Sequence, residues 1–282
     1  MVRLFLVRLN FKIIIMVISS FTLLFLLKQI QFYWRNLLNN ALKTNRNVEL
    51  DVLRGIAVVA MVIFHFTFDL SYFGFIPTDT IFRPNWIMLQ KLIAGTFIYI
   101  SGVSLHLCHG SGIRWQLVKK RILLIGGAAL AISITTIFTF GEFWIKFGIL
   151  HCILVCSIIS LVLVIRSTSF VLIVTIALGL LIIIVERPVD LPVAFQWLIE
   201  TNFKHYSIDY SPVFPWIFIF VGGILSSKVF AGRSWFFPVS LTSLRSSIFV
   251  RMLVFIGQNS LIAYLIHQPI LIFGIYIYIY LT

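Results

Sequence analysis

The stretch VELDVLRGIAVVAMVIFHFTFDLSYFG, residues 48–74, decides the fold class. Between Val52 and Phe68 only Arg54 and His65 are ionisable, and everything else is apolar or small, apart from Thr67. A helix needs about 20 mostly apolar residues to cross a bilayer core. Working outward, the same pattern recurs at roughly 86–107, 122–140, 147–165, 168–185, 213–230 and 252–280. These runs are too long and too uniformly apolar for barrel strands, and a helix satisfies its backbone polar groups internally. The last run exceeds the length of a span and contains Gly257 and Pro269, which predicts a tilt, a kink or a break. The expected fold is therefore all-α: a polytopic integral membrane helix bundle of about seven core spans, preceded by an amino-terminal hydrophobic segment.

Composition agrees. Of 282 residues, 60% are hydrophobic and 11% charged, and mean hydropathy is +1.06. Soluble domains run near ~45–50% apolar and ~25% charged, so a soluble globular domain, a disordered chain and a disulfide scaffold are excluded. The 22 Lys+Arg against 9 Asp+Glu leave a net +13. Placing Asp51 inside puts 14 of the basic residues on one side of the bilayer, with only Glu49 and Asp51 as acidic companions. The opposite side holds 5 basic and 7 acidic residues. Basic residues in short loops mark the cytoplasmic side. The excess charge thus sets topology, with the basic face expected in the cytoplasm, and is no nucleic-acid signature.

A shorter apolar segment at about 13–27 follows Arg3, Arg8 and Lys12. No small-x-small cleavage site follows it, so an uncleaved anchor or interfacial helix is expected, with a true start at Met16 as the alternative. Residues 1–46 are read as an extension and 47–282 as one membrane domain.

Ionisable residues within spans are costly and mark function by default. Arg54 and His65 are eleven residues apart, within ~20° of one helix face and about 16 Å along the axis. His65 and Asp69 are an i, i+4 pair. His151 opens the fourth run within IKFGILH, and His267 lies in the last within SLIAYLIHQP. By topology His65, His151 and His267 share the outer half of the bilayer with Asp69, Asp209, Tyr210 and Trp216. Two readings stay open at this point: a catalytic or proton-relay cluster, or an arginine that snorkels and histidines that tie helices together. No His-x-x-x-His or Glu-x-x-His spacing occurs, so no metal is expected. The three cysteines show no paired framework, and Cys152 and Cys156 are read as packing residues.

The 48–74 stretch, followed in order by FIYISGVSLHLCHG, IKFGILH, DYSPVFPWIFIFVGGIL and GQNSLIAYLIHQP, resembles bacterial membrane proteins related to the heparan-α-glucosaminide N-acetyltransferase catalytic domain. The resemblance covers about 47–275. The Arg-x10-His spacing is also similar to that of membrane O-acyltransferases that acetylate polysaccharides. Both imply acyl transfer, usually of acetyl from acetyl-CoA, to a carbohydrate: an amino sugar or an envelope glycan.

On that implication, Arg54 binds the anionic donor with Arg121 in reserve, and His65 is general base or transient acyl carrier with Asp69 orienting its ring. His151 and His267 are supporting donors behind it or alternative bases, and Asp209, Tyr210 and Trp216 line the acceptor side. Acetyl-CoA is a co-substrate, with no permanently bound cofactor. The expected partners are these substrates and the bilayer, without nucleic acid; oligomeric state is unreadable. The rival is a proton-coupled transporter or exporter using the same His/Asp stripe.

Overall fold

In the computed structural model the described residues are 47–184, 209–230 and 247–281. The first helix starts where Asn47 caps it: the side-chain Oδ1 accepts from the Glu49 and Leu50 amides at 3.0 and 3.4 Å. Glu49 and Asp51 in the first turn favour the positive end of the helix dipole. This helix, α1, runs Val48–Tyr72. It is followed by a short 3-10 turn, Thr80–Phe82, then α2 (Pro84–His109), α3 (Trp115–Phe140) and α4 (Ile149–Ile159). After these come α5 (Leu161–Val164), α6 (Thr168–Ile184), α7 (Val213–Val229), α8 (Ile248–Gln258) and α9 (Ser260–Leu281). No strand occurs among the described residues. The protein is an all-α, multi-pass membrane helix bundle. Four helices are long and apolar enough to cross a bilayer (α1, α2, α3 with its 3-10 extension to Phe143, and α9), and four shorter helices are equally apolar.

Two expected spans are subdivided. The run at 252–280 is α8 and α9, broken at Asn259. There the Asn259 side chain and backbone amide both donate to the Phe255 carbonyl, at 2.8 and 3.2 Å, and the backbone amide is shared with the Ile256 carbonyl as the last turn tightens. Pro269, the other suspected break, sits inside the continuous α9. The run at 147–165 is α4 and α5, jointed at Ser160. The run expected from 122 begins earlier, so Lys119, Lys120 and Arg121 lie in the first turns of α3. Expectations for the segment 13–27 and the extension 1–46 fall outside the described residues.

The chain divides into two compact units, with the boundary between Ile93 and Ala94. In the first unit α1 packs along α8 and against α9. Glycine allows the closest approach: a Cβ at Gly55 would collide with the Leu253 carbonyl, and one at Gly257 with the Asp51 carbonyl. Val52 and Leu253 pack at this seam, flanked by Val48, Val250 and Val254. In the second unit α2 and α7 approach in the same way, Gly102 against the Phe220 backbone and Gly223 against that of Tyr99. Tyr99 donates to Ser226 at 2.6 Å across the seam.

Arg121 links three helices of the second unit. Its Nε donates to Ser157 on α4 at 3.0 Å, and one Nη donates to the Ser101 hydroxyl and carbonyl on α2 at 2.7 and 3.3 Å. Hydrogen bonds to charged groups contribute about 1.5–3 kcal/mol. Arg121→Leu is expected to lower the stability of the detergent-solubilised protein by about 1.5–3 kcal/mol, seen as a lower thermal unfolding midpoint. Unchanged thermal stability would contradict the link.

Candidate functional site

The first unit brings together two of the three histidines expected to converge. His65 on α1 and His267 on α9 place their ring centroids 4.8 Å apart at 61°, an edge-to-face contact. Phe64 and Phe68 lie on the other sides of the His65 ring, at 5.6 and 6.5 Å. No hydrogen-bond partner of the His65 ring is found among the described residues, and the side chain is half-buried. His267 is only 9% exposed. Its Nδ1 lies 2.7 Å from the Tyr264 carbonyl, so Nδ1 carries the proton and donates. In the neutral ring that leaves a lone pair on Nε2. This atom is buried without a partner among the described residues.

Asp69 does not orient His65. Its Oδ1 accepts from the Gln268 amide at 2.7 Å, and its Oδ2 has no partner. The i, i+4 spacing put both side chains on one helix face but could not decide which way the carboxylate turns. A residue on α9, one position after His267, decides it. Gln268 Oε1 is likewise buried without a partner. Three buried acceptors therefore sit on one pair of adjacent α9 residues and the α1 carboxylate that one of them grips. Leaving a buried acceptor unpaired costs about 1–3 kcal/mol, a cost that a bound donor group removes.

Arg54 is anchored at the other end of α1. Its Nη1 donates to Asp51 Oδ1 at 3.0 Å, with Arg54 23% exposed and Asp51 1%. Asp51 Oδ2 accepts from Gln258 on α8 at 3.3 Å. Asp51 and Asp69 are eighteen residues apart, about five full turns at ~100° per residue, so they share a face. Each meets a glutamine from the carboxy-terminal helix pair. Gln258, Gln268 and Tyr264 carry no charge at neutral pH and so give no signal of buried ionisation in the sequence, where Asp51 serves only to mark the inner side. Tyr264 and Gln268 nonetheless stand inside the SLIAYLIHQP stretch.

The remaining candidates belong to the second unit. His151 closes the start of α4: its Nδ1 accepts from the Gly148 amide at 3.2 Å, and Nε2 lies 3.4 Å from the Ser133 hydroxyl. Asp209 lies against Gly148 and accepts from the Ile149 amide at the same helix end. Burial raises its carboxyl above the ordinary value and that amide draws it back. His151 and Asp209 thus cap a helix. Tyr210 precedes α7, and Trp216 in its first turns lies beside Gly95 of α2. Arg121 is turned inward onto Ser157 and Ser101, beside a cavity of about 10 Å³, which is room for roughly one water. Cys152 and Cys156 are buried, their sulfurs 3.9 Å apart. Among the described residues no three His, Cys, Asp or Glu side chains are gathered as metal ligands.

No curated protein and no solved structure matches the chain. A family model does: heparan-alpha-glucosaminide N-acetyltransferase, catalytic, matches residues 46–269. That span contains α1 to α8 and both histidines of the ring pair, ending at the proline that follows His267 and Gln268. With its helical membrane architecture and matching motifs in order, the chain belongs to the heparan-alpha-glucosaminide N-acetyltransferase catalytic-domain family.

Proposed function

We propose that the protein transfers an acyl group, acetyl in the first instance, from cytosolic acetyl-CoA to a carbohydrate acceptor, an amino sugar or an envelope glycan. The observation that carries this reading is the His65–His267 ring pair inside a membrane bundle of a transferase family. The thioester is already activated, so the protein's part is orientation, proton transfer and charge stabilisation. Arg54 offers a planar, permanently charged fork for donor phosphates at the basic face, which is assigned to the cytoplasm of a bacterial inner membrane. An extended pantetheine arm, on the order of 15–20 Å, matches the ~16 Å helical rise from Arg54 to His65. His65, half-buried and flanked by aromatic rings, is assigned to the arriving thioester. No permanently bound cofactor, metal or nucleic acid enters the scheme.

Incubating the purified protein with labelled acetyl-CoA tests the reading: labelled acceptor or CoA release supports it. Flux of a solute across proteoliposomes without either would favour the proton-coupled carrier instead. Arg54→Gln is expected to raise KM for acetyl-CoA about tenfold, as loss of one charge-assisted hydrogen bond implies, with kcat within about twofold. An unchanged KM would remove Arg54 from the donor site.

A further inference from the structure

The acyl-transfer reading leaves open which group receives the proton of the acceptor, and the hydrogen bonds around the ring pair distinguish the two histidines. His65 has no hydrogen-bond partner among the described residues to set its tautomer. His267 does: Nδ1 donates to the Tyr264 carbonyl at 2.7 Å, which fixes the ring's orientation and leaves the lone pair on Nε2. A base is prepared in this way when its second nitrogen is held by an acceptor. The surrounding polar atoms have matching polarity. Asp69 Oδ2 and Gln268 Oε1 flank the 2.7 Å Gln268–Asp69 hydrogen bond, and both, like His267 Nε2, are buried without partners. Three unpartnered acceptors against the single N–H of the neighbouring His65 ring call for an occupant that supplies donors. The reacting thioester group itself has none, whereas a polyol or an amino sugar has several at the attacking atom and beside it.

Resting on the acyl-transfer reading, we propose that His267 Nε2 is the proton acceptor of the reaction and that Asp69 Oδ2 and Gln268 Oε1 hold neighbouring donor groups of the same acceptor molecule. The acceptor's attacking O–H or N–H gives its proton to Nε2 as the new bond to the acyl carbon forms. The carbon–sulfur bond breaks, and the imidazolium returns that proton to the leaving thiolate, so CoA departs as its thiol. Nδ1–H stays on the Tyr264 carbonyl throughout, and the positive ring is stabilised by that bond and by the nearby Asp69 carboxylate.

The decisive variant is His267→Asn. The asparagine amide N–H can replace Nδ1–H on the Tyr264 carbonyl while nothing replaces Nε2. It therefore keeps the structural bond and removes the base. With the purified full-length protein, acetyl-CoA, and glucosamine as the probe acceptor, His267→Asn is expected to lower kcat at least about 100-fold. Its thermal unfolding and its KM for acetyl-CoA should stay near the native values. Added imidazole should restore part of the turnover of His267→Ala and none of that of His65→Ala. Gln268→Met is expected to raise KM for glucosamine about tenfold and leave that for acetyl-CoA unchanged. If His267→Asn retains more than about half of native turnover while His65→Ala is inactive, the assignment to His267 is overturned and the acyl-transfer reading stands. If His65→Ala and His267→Asn are both fully active, the ring pair is removed from the mechanism, and if the native protein releases no CoA, the acyl-transfer reading falls as well.

Discussion

His65→Ala is expected to reduce acyl transfer by a factor of about 10²–10³, the usual worth of one preorganised group held against the reacting carbonyl, while the protein still inserts and folds. The second half follows from the geometry. His65 is half-buried, makes ring contacts with His267, Phe64 and Phe68, and makes no hydrogen bond that anchors one helix to another among the described residues. Its removal leaves no buried partner unsatisfied, which is the usual source of large destabilisation on losing a polar side chain. The Asp69–Gln268 bond that joins α1 to α9 is untouched. Labelled acetyl transfer by purified protein, with insertion checked by membrane fractionation, separates the two effects. Full activity of the purified variant would remove His65 from the mechanism. Loss of insertion would show that the ring pair serves the fold.

Gly257→Val is expected to do the opposite: to fail in the fold before the site matters. A Cβ at this position overlaps the Asp51 carbonyl oxygen and crowds the Gly55 amide, both backbone atoms of α1. Overpacking ordinarily costs about 1–3 kcal/mol because flexible side chains can move aside. Here the obstacle is another helix's main chain, so α8 must separate from α1 along its length. The expected loss is therefore at or beyond about 3 kcal/mol, the top of that range. Separation would also pull Gln258 from Asp51 and loosen the support of Arg54. Yield of monodisperse protein and its thermal unfolding in detergent report the effect. Even Gly257→Ala carries the offending carbon, so native-like stability of that variant would contradict the close approach of α1 and α8.

Much of this molecule is legible along the chain. Apolar runs of spanning length, and the sign of the charges between them, follow from the cost of burying charge and backbone in hydrocarbon. The spacing of Arg54, His65 and Asp69 is a property of a single helix, so a period of 3.6 residues suffices to place them on it. The family motifs lie in linear order and match as such. By themselves, then, the residues determined the class of fold, the family and the helix that carries the candidate chemistry.

Partner choice was decided elsewhere. A helical period says which residues share a face but not which neighbouring helix that face meets. Asp69 pairs with a glutamine 199 positions away and leaves His65 to the His267 ring. His151 and Asp209, equally polar in the sequence, are used to cap the start of α4. The break between α8 and α9 falls where Asn259 doubles its bonds to the end of α8, and the α1–α8 contact depends on two glycines that admit the opposing backbone. Each is a long-range or three-dimensional condition, set by helix rotation and approach, and only the tertiary structure fixes those.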